Sequence, residues 1–100
     1  MSSPTQVKTG NFAVTTSGTA VQGPAQPCAG GAVISCDPDT AGKLAVGAAS
    51  TVNYGTLVGV GLKMVPGGAF SFGPGELENL SQLWFDSNVS GTRVFWLAYP

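Results

Sequence analysis

"LWFDSNVSGTRVFWLAYP" runs from Leu83 to Pro100 and holds both tryptophans, two of the five phenylalanines and one of the two tyrosines. "QLWFD" (82–86) and "TRVFWLAY" (92–99) are rich in strand formers and are separated by "SNVSG", an ordinary length for a hairpin loop. With Asp86 opposite Thr92, Trp84 faces Val94 and Leu83 faces Phe95. Side chains alternate across a strand, so residues of like parity share a face. One face carries Leu83, Phe85, Phe95, Leu97 and Tyr99, and the other carries Trp84, Val94, Trp96 and Ala98. Both are apolar, which a half-solvated antiparallel sheet does not show. One side is therefore expected in the core, while the other needs a second layer, the N-terminal arm or another subunit. Two tryptophans at up to roughly 200–250 Å² each rival the largest apolar patch of an ordinary monomer. Trp84, Val94, Trp96 and Ala98 are therefore the expected subunit contact.

The chain has 100 residues, 43% of them hydrophobic and 9% charged, with 15 glycines and 7 prolines. That length predicts one domain. The turn formers favour many short strands over long helices, and the apolar content argues against a disordered polymer. "NFAVTT" (11–16), "AVISCD" (32–37), "KLAVG" (43–47) and "AFSF" (69–72) read as further strands. "DPDTAG" (37–42) reads as a turn in which Asp37 and Asp39 bond the backbone and Gly42 supplies a positive φ. This predicts a hairpin over 32–47. "ELENLSQ" suits a helical turn near 76–80, and "MSSPTQVKTG" has no periodicity. The expected architecture is an all-β, small antiparallel β-sandwich of seven or eight strands, jelly-roll-like, with one short helical turn. Its expected division is an N-terminal arm over 1–12 and a sandwich over 13–100.

Composition removes several kinds of chemistry. The sequence contains no histidine, so Ser-His-Asp and Cys-His catalysis and histidine-ligated metals are ruled out. Two cysteines, Cys28 and Cys36, fall short of a zinc set and read as small buried thiols, with a bridge across "AGGAVIS" as the alternative if Gly30 and Gly31 form a turn. "DPDTAG" begins like a calcium loop, but Ala41 replaces a ligand and Ala48 stands where a bidentate Glu is needed. Glu76, Glu78 and Asp86 are three carboxylates with no pairing signal. Four scattered cations and a net charge of -1 give no patch for nucleic acid. No signal peptide or membrane span is expected, which leaves the glycosylation triplets at Asn79 and Asn88 as chance matches. No enzyme activity, cofactor or metal is expected. Flat aromatics beside Gln82 and Asp86 also suit a sugar platform, although Val94 and Ala98 make that face dry and protein-like.

Three stretches, in order, carry a family likeness: "AVISCDPDTAGKLAVG", "MVPGGAFSF" and "ENLSQLWFDSNVSGTRVFWLAY". Together, over roughly Thr19 to Tyr99, the chain resembles small tailed-phage virion accessory proteins. The shared pattern is a strand–turn–strand unit, then a Pro-Gly turn, then a closing pair of strands. Thr40-Ala41 departs from the Asn usual in the first turn. The resemblance implies a β-sandwich serving as a capsid decoration (cement) protein. It would be made in the host cytoplasm, sit on the capsid surface, bind the major capsid protein and commonly form a homotrimer, with no nucleic-acid or membrane partner. Pro4, Val7 and Phe12 are the expected shell-docking positions of the arm. The alternative is a tail or fibre adhesion module that binds host surface carbohydrate through exposed aromatics.

Overall fold

The computed structural model describes residues 6–100. Eight strands follow in chain order: β1 (Lys8–Val14), β2 (Val21–Gln22), β3 (Gly31–Cys36), β4 (Leu44–Gly47), β5 (Leu62–Met64), β6 (Ala69–Phe72), β7 (Trp84–Ser87) and β8 (Thr92–Tyr99). They form two four-stranded antiparallel sheets, a front sheet ordered β1-β8-β3-β6 and a back sheet ordered β2-β7-β4-β5. Strand β1 pairs with β8, β2 with β7, β3 with β6 and β4 with β5, as if one long ribbon were folded at its midpoint. Pairing of β8 with β3 and of β7 with β4 rolls that ribbon into two layers. Eight strands connected in this way make a jelly roll, the double-sheet answer to the problem of exposed strand edges.

Alternation in the sequence sets which residues meet between the layers. Ala32, Ile34 and Cys36 of β3 and Val94 and Ala98 of β8 point inward from the front sheet, all essentially without solvent exposure. Leu44, Val46, Met64 and Phe85 answer from the back sheet, and Cys28, Leu77, Leu80 and Leu83 join the same core cluster. Phe12 of β1 meets Phe85 of β7 edge to face across the layers, at 5.1 Å between centroids. Gly10 shows why β1 tolerates a glycine mid-strand. A Cβ there would stand 2.5 Å from Cζ2 of Trp96, so the bare backbone lets the indole lie across it.

Several expectations change. The anticipated 82–99 hairpin does not exist, because β7 lies in the back sheet and β8 in the front. Its linker is an arch instead, held by hydroxyls of Ser87 and Thr92 that both donate to the Val89 carbonyl at 2.7 Å. The 32–47 segment is likewise an arch from β3 to β4. Within it the Asx turn forms as expected, the Asp39 amide donating to Asp37 Oδ1 at 2.9 Å. Gly42 is needed for space and not for a positive φ, since a Cβ would collide with the Thr92 side chain. The arm boundary at residue 12 falls inside β1, whose seven residues pair with β8 from Lys8 through Val14. The helical turn lies later than 76–80, as a 3-10 turn at Leu80–Gln82. Asn79 caps it, and Gln82 reaches back to the cap backbone to complete a capping box.

Cys28 and Cys36 are unbridged and buried. Burial pushes both thiols above their ordinary range, and the adjacent Asp37 charge adds to the effect at Cys36. Raised values mean little thiolate near neutrality. Neither cysteine should react with a thiol reagent at pH 8 in the native protein, and both should react in denaturant. A titration of free thiols in the two conditions checks this.

Candidate interaction face

The two sheets differ in what lies over their outer surfaces. On the back sheet, Asp86 and Ala45 point outward yet have no solvent exposure. Asp86 explains this. Its Oδ1 accepts the Gly18 amide at 2.9 Å and its Oδ2 accepts the Tyr54 amide at 2.7 Å. One carboxylate thus clamps two loops, 15–20 and 48–61, onto the sheet. The Ser17 hydroxyl ties the first loop to the Ser87 carbonyl at 2.7 Å. Lys63 Nζ stands 4.4 Å above the Tyr54 ring, a cation–π contact on the same side. A Cβ on Gly47 would collide with the Gly59 carbonyl, so the second loop runs directly over β4.

Among the described residues no loop closes the front sheet in this way. Register places Thr9, Leu97, Val33 and Ser71 in one outward row, and Asn11, Phe95, Ser35 and Ala69 in the next. Phe95 is 38% exposed and Tyr99 40%. The central strands β8 and β3 supply Phe95, Leu97, Tyr99 and Val33, whereas the flanking β1 and β6 supply Thr9, Asn11 and Ser71. The middle of the face carries no charge. Arg93 sits at one end, its Nη1 donating to Asn11 Oδ1 at 2.8 Å. An open depression of about 190 Å³ lies among Thr9, Val33, Ser35, Phe95, Trp96 and Leu97. An apolar centre with a polar border suits a protein–protein contact.

These placements correct the expected site. Val94 and Ala98 are core residues and cannot reach a neighbour. Trp96 is half-buried on the inner side of the front sheet, against the core. Trp84 is half-buried on the outer side of the back sheet, in register with Gln22 and Gly47. The tryptophans therefore share no face, and no sugar platform is built from the pair. Phe12, assigned to the arm, packs against the core within β1. Val7 is exposed just before β1, and Pro4 lies outside the described residues. Phe95, Leu97 and Tyr99 form a set of one parity, but Phe85, expected beside them, lies in the other sheet and points into the core.

Four further polar candidates have structural employment. Both oxygens of Asp86 are taken by amides, and Glu76 Oε1 accepts the Gly73 amide. Asn79 caps the 3-10 turn, and Asn88 Oδ1 accepts the Lys43 amide at 2.7 Å. An open apolar cleft of about 400 Å³ separates the β5 and β6 edges, bounded by Val46, Leu62, Phe70, Phe72 and Leu83. No protein-family model, curated protein or solved structure matches the chain.

Replacing Asp86 by Ala would leave two part-buried amides without their acceptor. The expected loss is about 2–4 kcal/mol of unfolding free energy, from the charge-assisted bonds and the unsatisfied donors together. Denaturant unfolding measures it, and amide exchange should quicken at Gly18 and Tyr54.

Proposed function

We propose that this chain is a structural virion component, a capsid decoration protein that lays its front sheet against the outside of an assembled shell. The observation that supports this reading is the unequal closure of the two sheets: the back is clamped under its own loops, and the front presents an uncharged apolar centre to whatever lies beside it. The jelly-roll fold agrees with the reading but hosts many functions and does not by itself argue for one.

The mechanism needs no chemistry. A ligand that binds the assembled shell and not its free subunits stabilises the shell by mass action. A face four strands wide and about eight residues long is on the order of 400 Å², with strands about 4.8 Å apart and about 3.3 Å per residue. That is about half the surface a standard interface takes from each partner. A single contact is therefore weak, and useful occupancy comes from a repeating lattice that offers many equivalent sites and from linked copies engaging it together. The low charge of the face suits this, because little ionic hydration has to be removed on docking.

Co-sedimentation with empty shells and with unassembled capsid subunits tests the proposal. The chain should pellet with shells and raise their melting temperature, but ignore free subunits. Phe95→Asp puts a carboxylate at the centre of the face and should weaken shell binding at least tenfold with the β circular dichroism unchanged. Undiminished binding by that variant, or retention on host polysaccharide without shell binding, would reverse the reading.

A further inference from the structure

The two sheets have four outer edges, and three of them are protected. Strand β2 is only two residues long, β5 has three residues and carries Lys63, and β1 carries the exposed Lys8. Short length and edge lysines are the usual defences against pairing with another chain. Strand β6 has four residues and no lysine. It reads Ala69-Phe70-Ser71-Phe72, with no charge and no proline, and its first three residues are exposed. On its inner side it pairs with β3. Among the described residues nothing pairs with its outer side.

The side chains of β6 narrow down what could. Phe70 and Phe72 stand in register with Ile34 and Ala32, so both lean toward the gap between the sheets. Their rings meet edge to face at 5.0 Å and form one wall of the 400 Å³ cleft, with Phe70 still 41% exposed. An occupant must bring free backbone groups, no charge, and apolar side chains at alternate positions to cover the mouth of the cleft. The strand of this molecule that meets those terms is β6 itself.

We propose that a second copy of this chain pairs antiparallel with the first, β6 to β6, about a two-fold axis through Ser71. In that register Phe70 lies opposite the partner subunit's Phe72, and the reverse, so that both Phe pairs gain a cross-strand aromatic contact. A two-fold axis perpendicular to the sheet keeps both back sheets on the same side, and the interface is isologous and closes at two copies. The two front sheets become one of eight strands, and the two clefts face each other across four rings. A net charge of -1 per copy offers little repulsion. Edge pairing of four-residue strands with these rings covers on the order of 400 Å² per copy, half of a standard interface, so association is weak and concentration-dependent. The inference stands on the edge and its cleft and does not require a capsid. If a capsid is the target, pairing doubles the number of faces each particle presents.

Ser71 is exposed, so variants there leave the core intact. Opposed Cβ atoms in such a pair are about 4.5–5.5 Å apart, close to disulfide reach. Under copper-catalysed air oxidation, Ser71→Cys should give a covalent dimer on a non-reducing gel. Val89→Cys, at a similarly exposed position on the β7–β8 arch, should not. The native thiols are buried and should stay silent. By sedimentation, the wild type should pass from monomer to dimer as concentration rises toward the millimolar range. Ser71→Lys, which sets two ammonium groups against each other, should remain a monomer with an unchanged circular dichroism spectrum. A wild type that stays monomeric, a closed trimer, or a dimer that survives Ser71→Lys would overturn the proposal. None of these outcomes depends on shell binding.

Discussion

Every strand in this protein finds its ribbon partner by reaching back along the chain, the first to the last, the second to the seventh, and so inward. That pairing governs the whole architecture. It forbids a tight hairpin anywhere: even the one sequence-adjacent pair, β4 and β5, is joined by a loop of fourteen residues, 48–61. It makes each short linker an arch between layers, so β7 and β8 face each other through the core and do not lie side by side. It also leaves the 15–20 and 48–61 loops long enough to lie back over a sheet, and Asp86 fixes them there. Non-local pairing of this kind loses loop entropy before contacts compensate for it, which places the fold among the slower-forming topologies.

The strands themselves were legible in the sequence because alternation is a local property. Ala32, Ile34 and Cys36 against Val33 and Ser35 announce a strand with one dry side, and the structure agrees. Strand pairing was not legible. A five-residue linker such as "SNVSG" suits a hairpin and an arch equally well, and what separates them is the distant company each strand keeps. Val14 illustrates the point: its carbonyl accepts the Gly91 amide at 2.8 Å and helps to hold the arch from 77 residues away. Pairing parity then misled the site. In a hairpin Trp84 and Trp96 share a side. In the arch the core-facing residues are odd-numbered in β7 and even-numbered in β8, so one tryptophan points out and the other in. The apolar surplus was real, and its outward share belongs to Phe95, Leu97, Tyr99 and Val33.

Gly10, Gly42 and Gly47 carry a second lesson about what local reading can reach. None of the three has a positive φ, and each is excluded from bearing a side chain by something far away in sequence: Trp96, Thr92 and the Gly59 carbonyl respectively. A glycine read as a turn former was, at residue 42, a place where two segments cross. Glycine-rich composition in this chain therefore records close layer packing as much as bending, and it is part of how 100 residues hold eight strands in two layers.

The distribution of protection over the surface connects fold to function. A small jelly roll has two outer faces and four edges to keep from other chains. This one uses a buried carboxylate and two loops for the back face, brevity for β2, and lysines for β1 and β5. The same means were available at the front face and at β6, where one lysine in place of Ser35 or Ser71 would cost the fold little, both positions being outward and on or next to the edge. A chain with so few charges has placed them elsewhere. Bare apolar surface at these two places adds nothing to the stability of a lone protomer and raises its risk of aggregation. It becomes an advantage only when something covers it, and a face that meets a broad surface beside an edge that meets its own copy are compatible demands. Pairing at β6 extends the front sheet sideways in its own plane, so satisfying the edge enlarges the face and hides none of it.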